Sequence, residues 1–386
     1  MKAIRKYLNK IKPNFEQGGK LQAFGSVFEG IESFLYVPNT TAKSGVHIHD
    51  AVDSKRIISF VIIALLPATL FGMYNIGYQN AALAGQLSET THLSMFIYGM
   101  LQMLPKILVS YIVGLSIEFA WAQWKHEEIQ EGYLATGLLI PLIIPVNCPL
   151  WCLALACAFA VIFCKEIFGG TGMNFINPAL AARAFLFFSY PSVMSGDNCW
   201  VAKDEIFGLG YTIADTTTAA TPLALAALNA NTEIDTTAAI VGLIPGSMGE
   251  TSIIAIGIGA AILLITGVAS WRIIFSVFAG GIATAMLFNS LGMSSLSITD
   301  HLILGGFAFG AVFMATDPVT AARTDGGKYI YGALIGCVAI VVRVMNPGYP
   351  EGMMLAILLM NVCAPLIDWC IVERNVARRS RRALKK

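Results

Sequence analysis

Long apolar runs dominate the chain and restrict its fold more than any other feature. A membrane-spanning helix needs about 20 mostly apolar residues, and fewer where it is broken or buried in protein. Of the 386 residues, 56% are hydrophobic and only 13% are charged, against about a quarter in soluble domains. The sequence therefore predicts an all-α polytopic membrane protein with ten transmembrane helices, near residues 57–76, 96–122, 133–146, 149–166, 178–191, 251–269, 272–291, 301–316, 329–345 and 353–371.

Positive charge is concentrated at the two ends of the chain. Residues 1–20 carry six Lys or Arg, and the tail ERNVARRSRRALKK carries seven. Because Lys and Arg are enriched in cytoplasmic loops, both termini are predicted to be cytoplasmic, which requires an even number of spans. The long segment after the fifth span then lies outside, and Lys203 is its only basic residue. The net charge of +1 gives no signal for nucleic-acid binding.

The apolar runs divide into two halves, in which similar residues separate the spans. In each half a span is followed by a basic residue, Lys165 or Arg343, and then by a Gly, Pro and Asn-rich break and another span. Five spans separate the copies, so they would form two inverted five-helix repeats, which point to a central transport or cofactor site. The expected parts are a cytoplasmic N-terminal segment (1–55), a first repeat (56–192), a periplasmic loop (193–250), a second repeat (251–372) and a basic cytoplasmic tail (373–386).

Carboxylates in or beside the spans are candidate functional groups, because polar side chains are costly in a membrane. Glu118 and Asp368 lie within spans, and Asp317 follows the eighth span. Each has a simpler explanation. Glu118 could reach the inner surface with its long side chain, and Asp368 could pair with Arg374. Asp317 could cap a helix that begins at Pro318. As a set, these carboxylates favour ion movement over hydrolysis.

Two amides, Asn174 and Asn177, lie at a Gly-rich break before the fifth span. Amides both donate and accept hydrogen bonds, which suits a flat heterocycle or another polar ligand. No nucleotide or metal signature accompanies them. FGGTG is not followed by Gly-Lys-Ser/Thr, the eight Cys include no C-x-x-C pair, and His47 and His49 alone are a weak metal pattern.

The segment IADTTTAATPLALAALNANTEIDTTAA, residues 213–239, is small, polar and rich in Thr, although it lies between apolar runs. Two interpretations compete for it. It is either a disordered surface loop or part of a pocket in which one hydroxyl has a chemical role.

Several long strings resemble one family of membrane electron-transfer proteins. They are KEIFGGTGMNFINPALAARAFLFFSYP, IPGSMGETS, GGFAFGAVFMATDPV, NPGYPEGMMLAILLMNVCAPLID and VERN. From about residue 10 onward the chain resembles the NqrB subunits of the Na⁺-translocating NADH:quinone oxidoreductases. A related family is the RnfD subunits of the Rnf complexes, which work between ferredoxin and NAD, but the long N-terminal segment with FEQGGK favours the first. A flavin-free channel for urea or ammonium is the alternative from another class, since such folds also use five-plus-five repeats.

The resemblance implies a function. It indicates a multi-pass protein of the bacterial inner membrane that works within a six-subunit complex, whose other members are designated A, C, D, E and F. The family passes electrons from NADH to ubiquinone or menaquinone and exports Na⁺. The NqrB subunit carries a covalent FMN on the outer side, placed there by a flavin transferase, and a non-covalent riboflavin towards the inner side. It also holds a quinone site, within the membrane lipid.

The resemblance also assigns the FMN attachment to Thr221. The family has Ser/Thr-Gly-Ala-Thr following an Asp, and this chain has TAAT ending at Thr221, with Asp215 upstream. Ala219 replaces the family Gly, which adds a methyl group and restricts the backbone.

The resemblance also assigns further binding residues, one position at a time. The riboflavin contacts match Asn174 and Asn177, and a quinone-site Gly matches Gly114. The family's Na⁺-related carboxylates match Glu29, Glu118 and Asp368.

Overall fold

The structure of the chain is a computed structural model. It describes residues 2–15, 54–125, 132–214, 219–227, 234–294, 296–346 and 351–384, together with a few single residues between these ranges. Within these residues the regular secondary structure is helical, and no strand is present. The predicted sites Glu29 and Asp215 and the histidines His47 and His49 lie outside the described residues.

Thirteen numbered helices form the described structure. They are α1 (Lys2–Ile11), α2 (Ser54–Leu83), α3 (His92–Lys125), α4 (Tyr133–Leu142), α5 (Leu150–Cys164), α6 (Pro178–Ser189), α7 (Pro222–Ala227), α8 (Thr236–Val241), α9 (Ile253–Ile265), α10 (Trp271–Ser290), α11 (Ile298–Ile303), α12 (Asp325–Met345) and α13 (Met353–Ala383). Short turns of helix at Glu166–Phe168, Pro191–Met194, Phe307–Phe309 and Gly310–Met314 accompany them.

Six helices in the described part of the chain are long and apolar enough to cross a membrane. They are α2, α3, α5 with the turn that follows it, α10, α12 and α13. The third, fifth and sixth predicted spans are the shorter apolar helices α4, α6 and α9, of 10, 12 and 13 residues. At 1.5 Å per residue, α4 is about 15 Å long, half of the hydrocarbon core of about 30 Å. The structure thus confirms an all-helical membrane protein, but not ten full-length spans.

The eighth predicted span is broken. It begins as α11, and Leu304 then takes an extended conformation (ψ 147°) that ends the helix. Gly305 follows with φ +66°, a conformation that favours glycine. The chain resumes as Phe307–Phe309 and continues into the π-helical turn Gly310–Met314. Helical hydrogen bonding is therefore interrupted near the start of the predicted span 301–316, at the Gly305-Gly306 pair.

One feature of helix packing is shared by the two halves of the membrane region. In the first half, α5 packs between α3 and α6, and in the second half α12 packs between α10 and α13. The leading helices of the two halves, α2 and α9, pack against each other. Close approach of α10 and α12 depends on small residues. A Cβ on Gly336 would lie 2.1 Å from the carbonyl oxygen of Val277.

Helix α13 continues without a break from the apolar region into the basic tail. It begins at Met353 and ends at Ala383, so the expected boundary between residues 372 and 373 falls within one helix. Five Arg of the tail are exposed on this helix: Arg374, Arg378, Arg379, Arg381 and Arg382.

Candidate functional site

Thr221 lies at the start of α7, beside a small cleft. Its Oγ1 accepts a hydrogen bond from the Ala224 backbone N–H (3.2 Å), and Pro222 is the first helical residue. Both features are typical of a helix N-terminus. The Thr221 cleft has a volume of about 30 Å³. It is lined by Thr221, Pro222, Leu223, Ile244, Pro245, Gly246, Ser247, Glu250, Thr251, Leu304, Gly305 and Glu351.

The backbone before Thr221 accommodates alanine without strain. Among the described residues other than glycine, only Phe207 has a positive φ, so Ala219 does not need the conformation that favours glycine. The Ala219 N–H donates to the Asp197 carbonyl (3.0 Å), which fixes this part of the loop. Replacement of the family Gly therefore leaves the backbone path to Thr221 intact.

A buried arginine holds two acidic residues at the wall of the Thr221 cleft. Arg183 of α6 donates from Nη1 to Glu250 Oε1 (2.8 Å), and its Nη2 contacts the Glu351 carboxylate and Ser247 Oγ. Arg183 and Glu250 are each only 5% exposed. Burial raises the pKa of Glu250 to about 7, and the positive charge of Arg183 opposes that rise. Removing Arg183 would leave Glu250 uncompensated in a medium of low dielectric constant.

A second buried arginine donates hydrogen bonds to carbonyl groups at the break in the eighth predicted span. Arg343 of α12 donates to the carbonyl oxygens of His301, Leu304 and Glu351. The carbonyls at the end of α11 have no partner within their own helix, so a side chain must supply one. The sequence marks Arg343 only as part of the repeat. It does not predict this role, nor those of Glu250 and Glu351, because the partners are distant along the chain.

The predicted amides line a second cavity, which we call the Asn cavity. Its volume is about 150 Å³. It is formed by the start of α2, helix α4, the break before α6, the end of α9 and the segment after the π-helical turn. The lining residues are Ile57, Ile58, Val61, Gly132, Ala135, Thr136, Leu139, Lys165, Thr171, Asn174, Asn177, Pro178, Leu263, Val268, Ala269, Phe313, Thr316, Asp317, Pro318 and Val319.

The two amides of the Asn cavity also shape the local backbone. Asn177 caps α6, since its Oδ1 accepts from the N–H groups of Ala179 (3.0 Å) and Leu180 (3.4 Å). Asn174 Nδ2 donates to the Ile176 carbonyl (3.1 Å). In the described part of the chain no hydrogen bond engages the Nδ2 donors of Asn177 or the Oδ1 acceptor of Asn174, so these groups remain for a polar ligand in the cavity. Both amides lie before the first residue of α6, Pro178.

Glu118 forms a buried ion pair with Lys165 and does not reach the surface. Each side chain is 4% exposed. Lys165 lines the Asn cavity, whereas Glu118 lies behind it on α3. Within the described residues the second carboxylate oxygen of Glu118, Oε2, has no hydrogen-bond partner. The structure thus joins Glu118 to the Asn cavity through one side chain, a link that the sequence does not show.

Asp368 and Asp317 hold backbone segments at the same end of the bundle as the Asn cavity. Asp368 accepts from the N–H groups of Arg323 (2.7 Å) and Thr324 (3.0 Å) and from Thr324 Oγ1, and so fixes the start of α12 rather than pairing with Arg374. Asp317 accepts from the Val319 N–H (3.1 Å) and from a Thr hydroxyl three residues on, within a turn and not at a helix start. Both carboxylates therefore have structural partners.

Gly114 lies where an aromatic ring crosses α3. A Cβ on Gly114 would lie 2.0 Å from the ring of Tyr133. The Tyr133 hydroxyl lies within hydrogen-bond distance of the Ser110 carbonyl (3.1 Å) and Ser110 Oγ (3.2 Å). The absence of a side chain at Gly114 is thus explained by packing of α4 on α3.

The Thr221 cleft and the Asn cavity lie at opposite ends of α9. Thr251, just before this helix, lines the cleft, and Leu263, near its end, lines the cavity. They are twelve positions apart, which corresponds to about 18 Å along a helix. In the described part of the chain, no group of three or more His, Cys, Asp or Glu is arranged to hold a metal ion.

The chain is similar to known proteins over nearly its full length. A family model described as the NQR2, RnfD, RnfE family matches residues 41–377. The B subunit of the Na⁺-translocating NADH-quinone reductase of Chromohalobacter salexigens is 44% identical over 407 aligned residues, which cover 98% of this chain and 96% of that protein. The subunits of the same name from Ectopseudomonas mendocina and Azotobacter vinelandii are 44% and 42% identical, each over 97% of this chain and 98% of the relative. The chain therefore belongs to the NQR2, RnfD, RnfE family.

Proposed function

We propose that the chain is the NqrB subunit of a Na⁺-translocating NADH-quinone reductase, in which it passes electrons through two flavins to a quinone while Na⁺ is exported. Similarity to relatives that are B subunits of such reductases, over almost the whole chain, supports the assignment. The observation that carries the electron path is the pair of sites at opposite ends of α9, a hydroxyl beside a cleft and a cavity lined by amides. When bound, flavins supply the electron transfer, and the protein supplies their positions.

Thr221 is the proposed attachment point of the covalent FMN, through a phosphoester of its hydroxyl. The Thr221 side chain is partly exposed at the start of a short helix, and its Oγ1 accepts only one hydrogen bond of 3.2 Å within the described residues. A flavin transferase therefore has access to the hydroxyl. The cleft of about 30 Å³ is the size of a site for bound water. The flavin ring would consequently lie on the surface, where a neighbouring subunit can reach it.

Asn174 and Asn177 are the proposed riboflavin contacts. Their available donor and acceptor match the alternating polar groups of the flavin pyrimidine edge, and Val61, Leu139 and Phe313 provide apolar walls. The volume of about 150 Å³ resembles that of an engineered cavity that takes one benzene. The cavity would therefore enclose one end of the ring system, and the remainder would lie at its mouth.

The proposed Na⁺ and quinone residues differ in what supports them. Glu118 is buried with one carboxylate oxygen that has no partner among the described residues, so it retains capacity to bind a cation. Asp368 accepts three hydrogen bonds, and Gly114 accommodates Tyr133, so each has a structural role beside the proposed one. For the quinone, the family resemblance at Gly114 is the support.

The proposed topology places the Thr221 cleft outside and the Asn cavity inside, in two inverted repeats within the bacterial inner membrane. The basic tail on α13 supports cytoplasmic termini by the positive-inside rule. The repeat is supported by the position of α5 between α3 and α6, which matches that of α12 between α10 and α13. The other five subunits of the complex would provide NADH oxidation and the electron that reaches the outer flavin.

Flavin fluorescence of the denatured chain tests the covalent site. The chain is expressed with its flavin transferase, separated on a denaturing gel and examined under ultraviolet light. We expect a fluorescent band for the wild type and for the control Thr217→Ala, and no band for Thr221→Ala. Fluorescence that persists in Thr221→Ala would contradict the assignment, and a wild-type chain without flavin would favour a channel. Reduction by ferredoxin rather than NADH in the purified complex would indicate an Rnf-type subunit.

A further inference from the structure

Lys165 lies between a buried carboxylate and the Asn cavity. It follows the last residue of α5, and its carbonyl oxygen accepts from the N–H groups of Phe168 (3.2 Å) and Gly170 (3.1 Å). This turn fixes the backbone from which the side chain projects. Lys165 and Glu118 are each 4% exposed and form an ion pair. Because Lys165 lines the cavity and Glu118 does not, Lys165 is the member of the pair that a ligand can contact.

The Lys165 ammonium retains capacity for a second partner. An ammonium has three N–H donors, and within the described residues the hydrogen bond found for Lys165 goes to Glu118 Oε1. A buried ammonium is favoured only when carboxylates or other acceptors surround it. Asn174 and Asn177 line the same cavity as Lys165. An acceptor group bound between these amides would therefore lie in the cavity that Lys165 lines.

We infer that Lys165 is a flavin-binding residue that tunes the reduction potential, and that Glu118 acts through it as a positioning residue. The inference rests on the proposed riboflavin site. On reduction, a flavin gains electrons and its negative charge concentrates at the N1 and C2 carbonyl edge. With riboflavin bound, the Lys165 ammonium would supply a positive charge and N–H donors to the ring edge that becomes negative. The Glu118 carboxylate orients the ammonium and offsets part of its charge.

Opposite charge changes should therefore shift the potential of the non-covalent flavin in opposite directions. Lys165→Met removes the positive charge and should lower the midpoint potential. Glu118→Gln leaves the ammonium uncompensated and should raise it. We expect at least a tenfold change in the relative affinity for reduced over oxidised flavin, which equals about 30 mV for a two-electron couple or about 59 mV for a one-electron couple.

The experiment uses the purified complex with four variants of this subunit: Lys165→Met, Lys165→Arg, Glu118→Gln and the double variant Glu118→Gln/Lys165→Met. Flavin released by denaturation is quantified by chromatography, and the midpoint potential is measured by spectroelectrochemical titration. Lys165→Arg conserves the charge and should stay near the wild-type potential. The double variant removes both buried charges, so it avoids an unpaired carboxylate and remains informative if Lys165→Met does not fold.

The outcomes separate this inference from the proposed function. Opposite shifts in the two single variants, or at least tenfold weaker flavin retention in the double variant, support the role of Lys165. Wild-type flavin content with unchanged potentials in Glu118→Gln and the double variant would overturn it while leaving the riboflavin site intact. A wild-type complex that releases no non-covalent flavin would overturn both.

Discussion

Replacement of Arg183 by Met should destabilise the protein, because it leaves the buried Glu250 without its cation and removes a partner of the partly buried Glu351. Arg183 contacts Glu250, Glu351 and Ser247, and it is 5% exposed. Breaking a buried ion pair by removing one partner costs about 3–5 kcal/mol. Since both carboxylates lose the same partner, we expect a loss in the upper part of that range at neutral or higher pH.

The loss of stability caused by Arg183→Met should grow with pH, because a protonated Glu250 at low pH carries no charge that needs a cation. Burial raises the pKa of Glu250 from 4.5 to about 7. A carboxyl whose pKa is raised in the folded state stabilises that state below the unfolded pKa, and this contribution disappears as pH rises through the folded pKa. This pH dependence belongs to the wild type, in which the positive charge of Arg183 opposes the rise in the pKa of Glu250. Without Arg183 the pKa of Glu250 rises further, so the variant loses stability relative to the wild type as pH rises above the wild-type pKa of Glu250.

Thermal unfolding of the detergent-solubilised chain at pH 5.5 and pH 8 measures this effect. We expect Arg183→Met to lower Tm by roughly 5–10 °C at pH 8 and by less at pH 5.5. The control is Arg272→Met, which breaks the exposed pair with Asp325 and should cost less than about 1 kcal/mol at both pH values. Wild-type Tm in Arg183→Met at pH 8, or an equal loss at both pH values, would refute the reasoning.

Two further predictions concern packing and a loop anchor. Gly336→Val should sharply lower the yield of folded protein in size-exclusion chromatography, because its Cβ would lie 2.1 Å from a carbonyl oxygen of α10, whereas Gly257→Val, with no atom within 4 Å of the added Cβ, should be tolerated. Equal yields would show that α10 and α12 do not depend on this contact. Asp368→Ala should release the segment before α12 and speed trypsin cleavage after Arg323 several-fold, since each lost hydrogen bond to a charged group is worth about 1.5–3 kcal/mol. Unchanged cleavage would mean that Asp368 does not hold this segment.

The sequence predicts the positions of the membrane segments better than their lengths. Apolar runs mark where the chain is buried, and all ten predicted segments fall on helical regions. Hydropathy, however, does not distinguish residues buried in lipid from residues buried in protein. Helix α4 is an example, because most of it packs against other helices and it stops after ten residues. The predicted span 301–316 also passes over the break at Gly305, although the pair Gly305-Gly306 is a turn signal in the sequence.

The sequence also identifies polar residues without identifying their partners. Residue type alone singles out Asn174 and Asn177, and the structure places both at one cavity. Glu118 stands out as costly in a membrane, but its partner Lys165 is 47 residues away, and the Arg183 contact with Glu351 spans 168 residues. Contacts of this kind are set by helix packing, which a single sequence does not encode locally.

The shortness of α4 has a consequence for biogenesis. A helix of ten residues is too short for the translocon to release into lipid as an independent segment, and seven of its residues are buried in the folded protein. Its exposed ends would leave backbone groups without partners in the bilayer. Helices α2, α3 and α6 pack against α4, so we expect a nascent chain that ends between α4 and α6 to be held at the translocon until α6 has been synthesised.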